Sequence, residues 1–331
     1  MAGGVAPGRP LVVPAVLLAA LAGAFVATQG RLNGDLATAG AGALLAAWTS
    51  YVGTFLTVAV VVAVQGRVRL TARILRRDAR WWWYAVGLCG VPIVVTFALG
   101  IPVVGVAIAS VCAVAGQTVA GLGLDARGVG VPASLRITGR RLIAAVVAVV
   151  GLVLAVGSAP STSLGTVIGL GVLMFVGGAV LAGQQAGNGR VNLLTGDPVL
   201  PVLTSSAGGT VGASVLVGVV WAAGHLGTVQ WPGPARWWLY LGGPLGAAIT
   251  VCAAWAIRHL GTFALTLGVV VGQMVTAVVV DLTTGVGGRW STYLAVAMIT
   301  GATVLVVLPG RQPETSLSAN RAQAASRKTT T

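Results

Sequence analysis

The sequence predicts an all-α integral membrane protein whose ten transmembrane helices form two inverted five-helix repeats, and three observations carry this prediction. The 331 residues include only 20 Lys or Arg and 6 Asp or Glu, so 8% are charged where a soluble domain carries about 25%, and 56% are apolar. Those charges gather in short segments between apolar stretches of about 20 residues, the length that crosses a bilayer as a helix. The stretches also repeat one another at a fixed offset. A chain in hydrocarbon must satisfy every backbone polar group internally, so uninterrupted runs of this length are helices.

Apolar runs punctuated by Gly, Pro and Arg place the spans at about 11–33, 43–65, 81–99, 102–124, 138–157, 164–187, 199–222, 237–257, 260–281 and 290–309. The first resembles a secretory signal, with Arg9 before it and Ala22-Gly23-Ala24 as a cleavage-like site. Its apolar run continues to Thr28 and has a counterpart in mid-chain, so it reads as a span. With the N-terminus cytoplasmic, seventeen Lys and Arg fall inside, and only Arg31, Arg236 and Arg289 fall outside. That asymmetry puts both termini in the cytoplasm. The Gln-, Ser- and Thr-rich segment 311–331 reads as a disordered cytoplasmic tail.

Several function classes fall away here. The arginines flank spans, where they act as topology signals, so the net charge of +14 does not indicate nucleic acid. Cys89, Cys112 and Cys252 lie in apolar runs and read as packing residues. His225 and His259 have no partner at metal-ligand spacing, so neither a metal nor a cofactor is expected. An enzyme is not expected either, because no nucleophile and base, and no paired acids, stand at membrane depth.

An offset of 156 residues lays Arg80-Trp81-Trp82-Trp83-Tyr84 on Arg236-Trp237-Trp238-Leu239-Tyr240, Gly116-Gln117 on Gly272-Gln273, and Asp125 on Asp281. An offset of 159 lays Gly30-Arg31-Leu32-Asn33 on Gly189-Arg190-Val191-Asn192. The chain therefore divides into an N-terminal repeat, 1–157, a C-terminal repeat, 158–310, and the tail. Five is odd, so the second repeat enters the membrane from the opposite side. Inverted repeats are the architecture of secondary transporters, in which two pseudo-symmetric halves alternate access to a shared site.

In the repeated Gly-Arg-Leu/Val-Asn and the Gly-Gln-x7-Asp, the chain resembles the drug/metabolite transporter superfamily. Within it, the chain is similar to the fused ten-helix form of the YdcZ-like family of bacterial inner-membrane proteins. The resemblance covers about residues 11–309 and implies exporter or facilitator activity toward a small molecule. It also implies a central cavity among the spans starting near 11, 81, 102, 164, 237 and 260. The related small multidrug exporters carry a glutamate on the first helix, whereas spans 11–33 and 164–187 contain no acid.

The candidate substrate path comprises Gln117, Gln184, Gln185, Asn188 and Gln273, membrane amides that either line a polar route or hydrogen-bond a neighbouring helix. Gln184, Gln185 and Asn188 concentrate in the second half, which marks the sixth span as substrate-facing. The candidate gates or mouths comprise Arg31, Asn33, Asp125, Arg190, Asn192 and Asp281. Asp125 and Asp281 are either gate latches or interfacial ion pairs beside Arg127 and Arg289. Arg31 and Arg190 either meet backbone carbonyls or substrate, or cap helix ends. The tryptophans near 81 and 237 read as interfacial anchors. All membrane-adjacent acids sit at helix ends in reach of water, so facilitated diffusion is expected rather than proton exchange. The expected partners are the bilayer and a small-molecule substrate, and one chain holds both halves, so a monomer can be complete. A scaffold or lipid-handling protein that transports nothing is the competing class.

Overall fold

The computed structural model describes residues 12–129, 137–157, 163–285 and 290–307, and every regular element among them is helical. In order these are α1 (Val12–Leu36, extended by a π-helical turn, Ala37–Ala41), α2 (Ala43–Val64), α3 (Val68–Asp78), α4 (Trp81–Leu88), α5 (Val91–Val104) and α6 (Val106–Ala126). There follow α7 (Gly139–Val156), α8 (Leu164–Thr195), α9 (Leu200–Ala222), a 3-10 helix (Pro234–Leu241), α10 (Gly242–Thr284) and α11 (Trp290–Val307). Seven stretches are long and apolar enough to cross a bilayer: Val13–Ala41, Ala43–Val64, Trp81–Val104, Val106–Ala126, Gly139–Val156, Leu164–Thr195 and Leu200–Ala222. They match the first seven expected spans. The other three expected spans fall in the 3-10 helix, α10 and α11.

The boundaries differ in informative ways. The third span runs on to Val104 with Pro102 inside the helix, and the reversal falls at Gly105, whose φ of 86° only glycine adopts without strain. The sixth span continues past 187 to Thr195. The expected connection at 67–80 contains a helix of its own, α3.

The helical segment α10 spans 43 residues, which would be about 64 Å if straight. Both its ends nevertheless meet one end of α1. The Gly242 carbonyl accepts from Gln29, and Thr284 lies within hydrogen-bond reach of Arg31. Ala256 and Leu265 both pack with Ala15 and Ala19 near the other end of α1, so α10 doubles back between them.

At the centre stands α6, whose residues from Val106 to Gly116 are all buried. It is apolar on every side, as a helix surrounded by others must be. Its Ala, Gly and Ser residues let neighbouring backbones approach closely, which compensates for the missing hydrophobic drive between helices in lipid. The first helix of each half docks in the other half: α1 packs on α10, and α8 packs on α4, α5 and α6. In addition α2 packs on α9 and α7 on α11.

Trp81 is exposed, as an anchor should be, but Trp83 is 2% exposed and belongs to the core, correcting the expectation for that residue. The expected boundary between the halves near 158 and the expected tail, 311–331, lie outside the described residues.

Candidate transport path

The helix contacts that flank the candidate path occur twice. A Cβ added to Gly23 of α1 would land on the carbonyl of Val269, and one added to Gly272 would land on the carbonyl of Ala20. In the other half, Gly178 of α8 meets the carbonyl of Ala113, and Gly116 meets that of Phe175. Gly272 and Gly116 are related by the offset of 156. Gly23 and Gly178, however, are related by 155, as are Ala20 and Phe175.

The offset of 155 places Gln29-x3-Asn33-Gly34 on Gln184-x3-Asn188-Gly189, and Thr49-Ser50-x2-Gly53 on Thr204-Ser205-x2-Gly208. Tertiary contacts agree with this register. Gln29 lies against Gly246, and Gln184 lies against Gly90, the two glycines being 156 residues apart. The pairing of Arg31 with Arg190 and of Asn33 with Asn192 is therefore displaced by one helical turn. Asn33 corresponds to Asn188, and Arg190 corresponds to Asp35.

The two equivalent clusters are in different states. In the first half, Gln29 Nε2 donates to the Gly242 carbonyl at 2.7 Å and to Ser50 Oγ at 3.2 Å. Asn33 Nδ2 donates to the same Ser50 oxygen at 3.4 Å, and Thr54 Oγ1 donates to the Gly243 carbonyl at 3.0 Å. Asn33 is 2% exposed. These bonds tie α1 and α2 to the start of α10. In the second half, the Gln184 amide lies beside the Tyr51 hydroxyl of α2, Ser205 donates to Val202 of its own helix, and Asn188 Oδ1 is buried without a hydrogen-bond partner among the described residues. Thr210 Oγ1 on α9 is likewise buried and unpartnered. An unpaired polar atom in a low-dielectric interior is costly, so an arrangement or ligand that engages it gains accordingly.

The other expected path residues separate. Gln185 is exposed, on a different face of α8 from Gln184, while Gln117 is half-buried and Gln273 is 4% exposed, its backbone against Gly23. Structure thus brings Gln184 together with Tyr51, leaves Asn188 one turn further along α8 with its Oδ1 unpartnered among the described residues, and leaves Gln185 outside.

The gate residues separate as well. Arg31 pairs with Asp35 one turn on at 2.9 Å and reaches the Thr284 hydroxyl, an acid and a hydroxyl rather than the carbonyls of one of the readings expected for it. Asp125 pairs with Arg141 rather than Arg127, whose guanidinium turns back to the Gly123 carbonyl. Arg190 is exposed and Asn192 half-buried, with the Asn192 carbonyl capping the end of α8 through Gly196 N. Arg289 lies outside the described residues.

Asp281 overturns the expectation of a water-facing acid. It is 1% exposed, and its two carboxylate oxygens accept from the backbone N–H groups of Val106 and Ala107 at 2.7 Å each. Gly105 has no side chain with which to cap α6, so Asp281 supplies the cap from α10. Its repeat partner Asp125 forms an ordinary ion pair at a helix end. The aspartates share a repeat position but not a role.

Directions follow from connectivity. The C-terminal end of α1 adjoins the start of α2. The C-terminal end of α8 leads to Asp197, which pairs with Arg67 just beyond the other end of α2. Equivalent ends of α1 and α8 thus lie at opposite ends of α2. Sequence reasoning missed Tyr51, Ser50 and Thr210, of which Ser50 was recoverable from the repeated Thr-Ser-x2-Gly.

This is a multi-pass helical membrane protein with a duplicated polar seam. The family described as "Putative inner membrane exporter, YdcZ" matches it twice, over residues 14–154 and 170–308. The chain belongs to this family, one unit per half, and is thereby a membrane protein of an exporter class. No curated protein matches the chain. Among eight matching solved chains, one described only as the crystal structure of a protein superposes with a TM-score of 0.55 at 16% identity. The match covers 91% of this chain and 98% of that one, a likeness that extends to the fold alone.

Proposed function

We propose that the protein is a secondary transporter that moves a small molecule across the inner membrane by alternating access, with ten spans in two inverted five-helix repeats and both termini cytoplasmic. The observation that carries this reading is the pair of equivalent clusters in unequal states. The Gln29 cluster is tied shut across the halves, while the Gln184 cluster retains buried polar atoms without partners. Two copies of one element in two states are what an inverted-repeat transporter presents when one side is closed. Exchange of the states would release Gln29 and Asn33, move Gln184 from the Tyr51 hydroxyl and engage Asn188, opening the path at the other end.

In this reading Gln184 and Asn188 contact substrate, with Gln117 and Gln273 flanking the path. Arg31, Asn33, Asp125, Arg190, Asn192 and Asp281 remain gate or mouth residues, and Asp281 acts by fixing the start of α6. The experiment is flux into proteoliposomes carrying the purified protein, screened with labelled pools of small metabolites. Protein-dependent flux of at least one solute supports transport, and none over a broad pool supports a scaffold.

A further inference from the structure

The geometry points to a binding site for an anionic phospholipid under α3, independent of what the protein transports. α3 carries Arg69, Arg73, Arg76 and Arg77, all exposed and spaced to form one stripe along the helix. Arg77 lies 3.9 Å from Asp78, and Arg67, just before the helix, pairs with Asp197. Arg69, Arg73 and Arg76 have no acidic partner among the described residues, and these cations stand where a chain leaves the membrane.

The neighbouring stripe of α3 is apolar apart from the Thr71 hydroxyl: Val68, Thr71, Ala72 and Leu75 follow the i, i+3, i+4, i+7 spacing. It roofs a groove of about 400 Å³. Phe55 and Ala59 of α2, Tyr84 of α4 and Leu203 of α9 form the rest of its wall, and Val68 and Ala72 border both the groove and the arginine stripe. An apolar slot along membrane helices, edged on one side by unpaired arginines, complements one amphiphile: an acyl chain in the slot and a phosphate on the guanidinium stripe. Guanidinium binds phosphate through paired N–H donors, and basic amphipathic helices at a membrane surface select anionic lipid. A zwitterionic lipid would fill the groove equally well but bring an ammonium to the same arginines.

The test is native mass spectrometry of the full-length protein released from micelles containing equimolar phosphatidylglycerol and phosphatidylcholine of identical acyl chains. Retention should favour phosphatidylglycerol about tenfold. Arg69→Gln with Arg73→Gln and Arg76→Gln should reduce the preference to near parity, and the matching Lys triple should keep most of it. Ala72→Phe, which fills the groove with every arginine intact, should lower retention of both lipids. Equal retention of the two lipids by the native chain, or an unchanged preference in the Gln triple, overturns the proposal. Unchanged retention in Ala72→Phe overturns it too, since headgroup attraction alone would then explain the binding. If the Gln triple fails to fold, the Lys triple and Ala72→Phe still decide the matter.

Discussion

Gln29 and Gln184 occupy equivalent places in the two halves, each against the corresponding glycine of the opposite half, yet Gln29 bonds a backbone carbonyl, that of Gly242 at 2.7 Å, whereas Gln184 meets the Tyr51 hydroxyl. Identical residues in equivalent places should therefore respond differently to the same substitution. Gln29→Ala removes two hydrogen bonds in a half-buried seam and should cost about 1–2 kcal/mol, lowering the melting temperature in detergent. Gln184→Ala loses only the contact with the Tyr51 hydroxyl, so it should lower melting less than Gln29→Ala does and should impair flux. Equal destabilisation by the two would mean that both are packing residues.

The aspartates make a second contrast. Asp281→Ala strips two charge-assisted bonds from the buried start of α6 and should cost about 3 kcal/mol. Asp125→Ala loses a partly exposed ion pair and should cost less than about 1 kcal/mol. Thermal melts of both variants in one detergent check the ranking, and a greater loss for Asp125 would refute the capping role of Asp281.

Close packing at the repeated seams predicts a third result. Gly116→Val and Gly272→Val each drive a side chain into the backbone of a neighbouring helix and should abolish the folded fraction in size-exclusion chromatography. Gly121→Ala, with open space around it, should be neutral or slightly stabilising because Ala favours the helix. Normal folding of both valine variants would show that these seams are looser than described.

Both termini are expected in the cytoplasm. A reporter active only in the cytoplasm, fused after residue 331, should be active, and one active only in the periplasm should be silent. The opposite pattern would invert the assignment of the arginine-rich end.

Composition alone made the membrane and the first seven crossings legible, because a stretch of 20 apolar residues has few other fates. Duplication was legible too, from Trp, Gly-Gln and Asp matches too specific for a Gly, Ala and Val background. The register between α1 and α8 was not. Offsets of 155 and 159 differ by four residues, about one turn, which returns nearly the same face of a helix, so local identity at Gly-Arg-x-Asn competed with Gln-x3-Asn-Gly. Contacts with Gly90 and Gly246 decide between them. The Asp281 cap was hidden for another reason: it joins residues 175 positions apart, and nothing local at Asp281 marks which helix start it serves. α3 escaped notice because its six-arginine neighbourhood read as topology, although its apolar stripe was present in the same eleven residues.

Alternating access predicts that the Gln184 region can be reached from either side, but from one side at a time. In a background without Cys89, Cys112 and Cys252, Gln184→Cys reports access to a membrane-impermeant maleimide in vesicles of each orientation. Gly34→Cys with Ile101→Cys supplies a lock: a Cβ at Gly34 stands 3.6 Å from Cβ of Ile101, within the disulfide range of about 3.5–4.5 Å. The unlocked protein should be labelled at residue 184 from both sides. The oxidised protein should be labelled only from the arginine-rich side, and reduction should restore the other. Labelling from both sides after oxidation, or from neither side before it, would contradict alternating access.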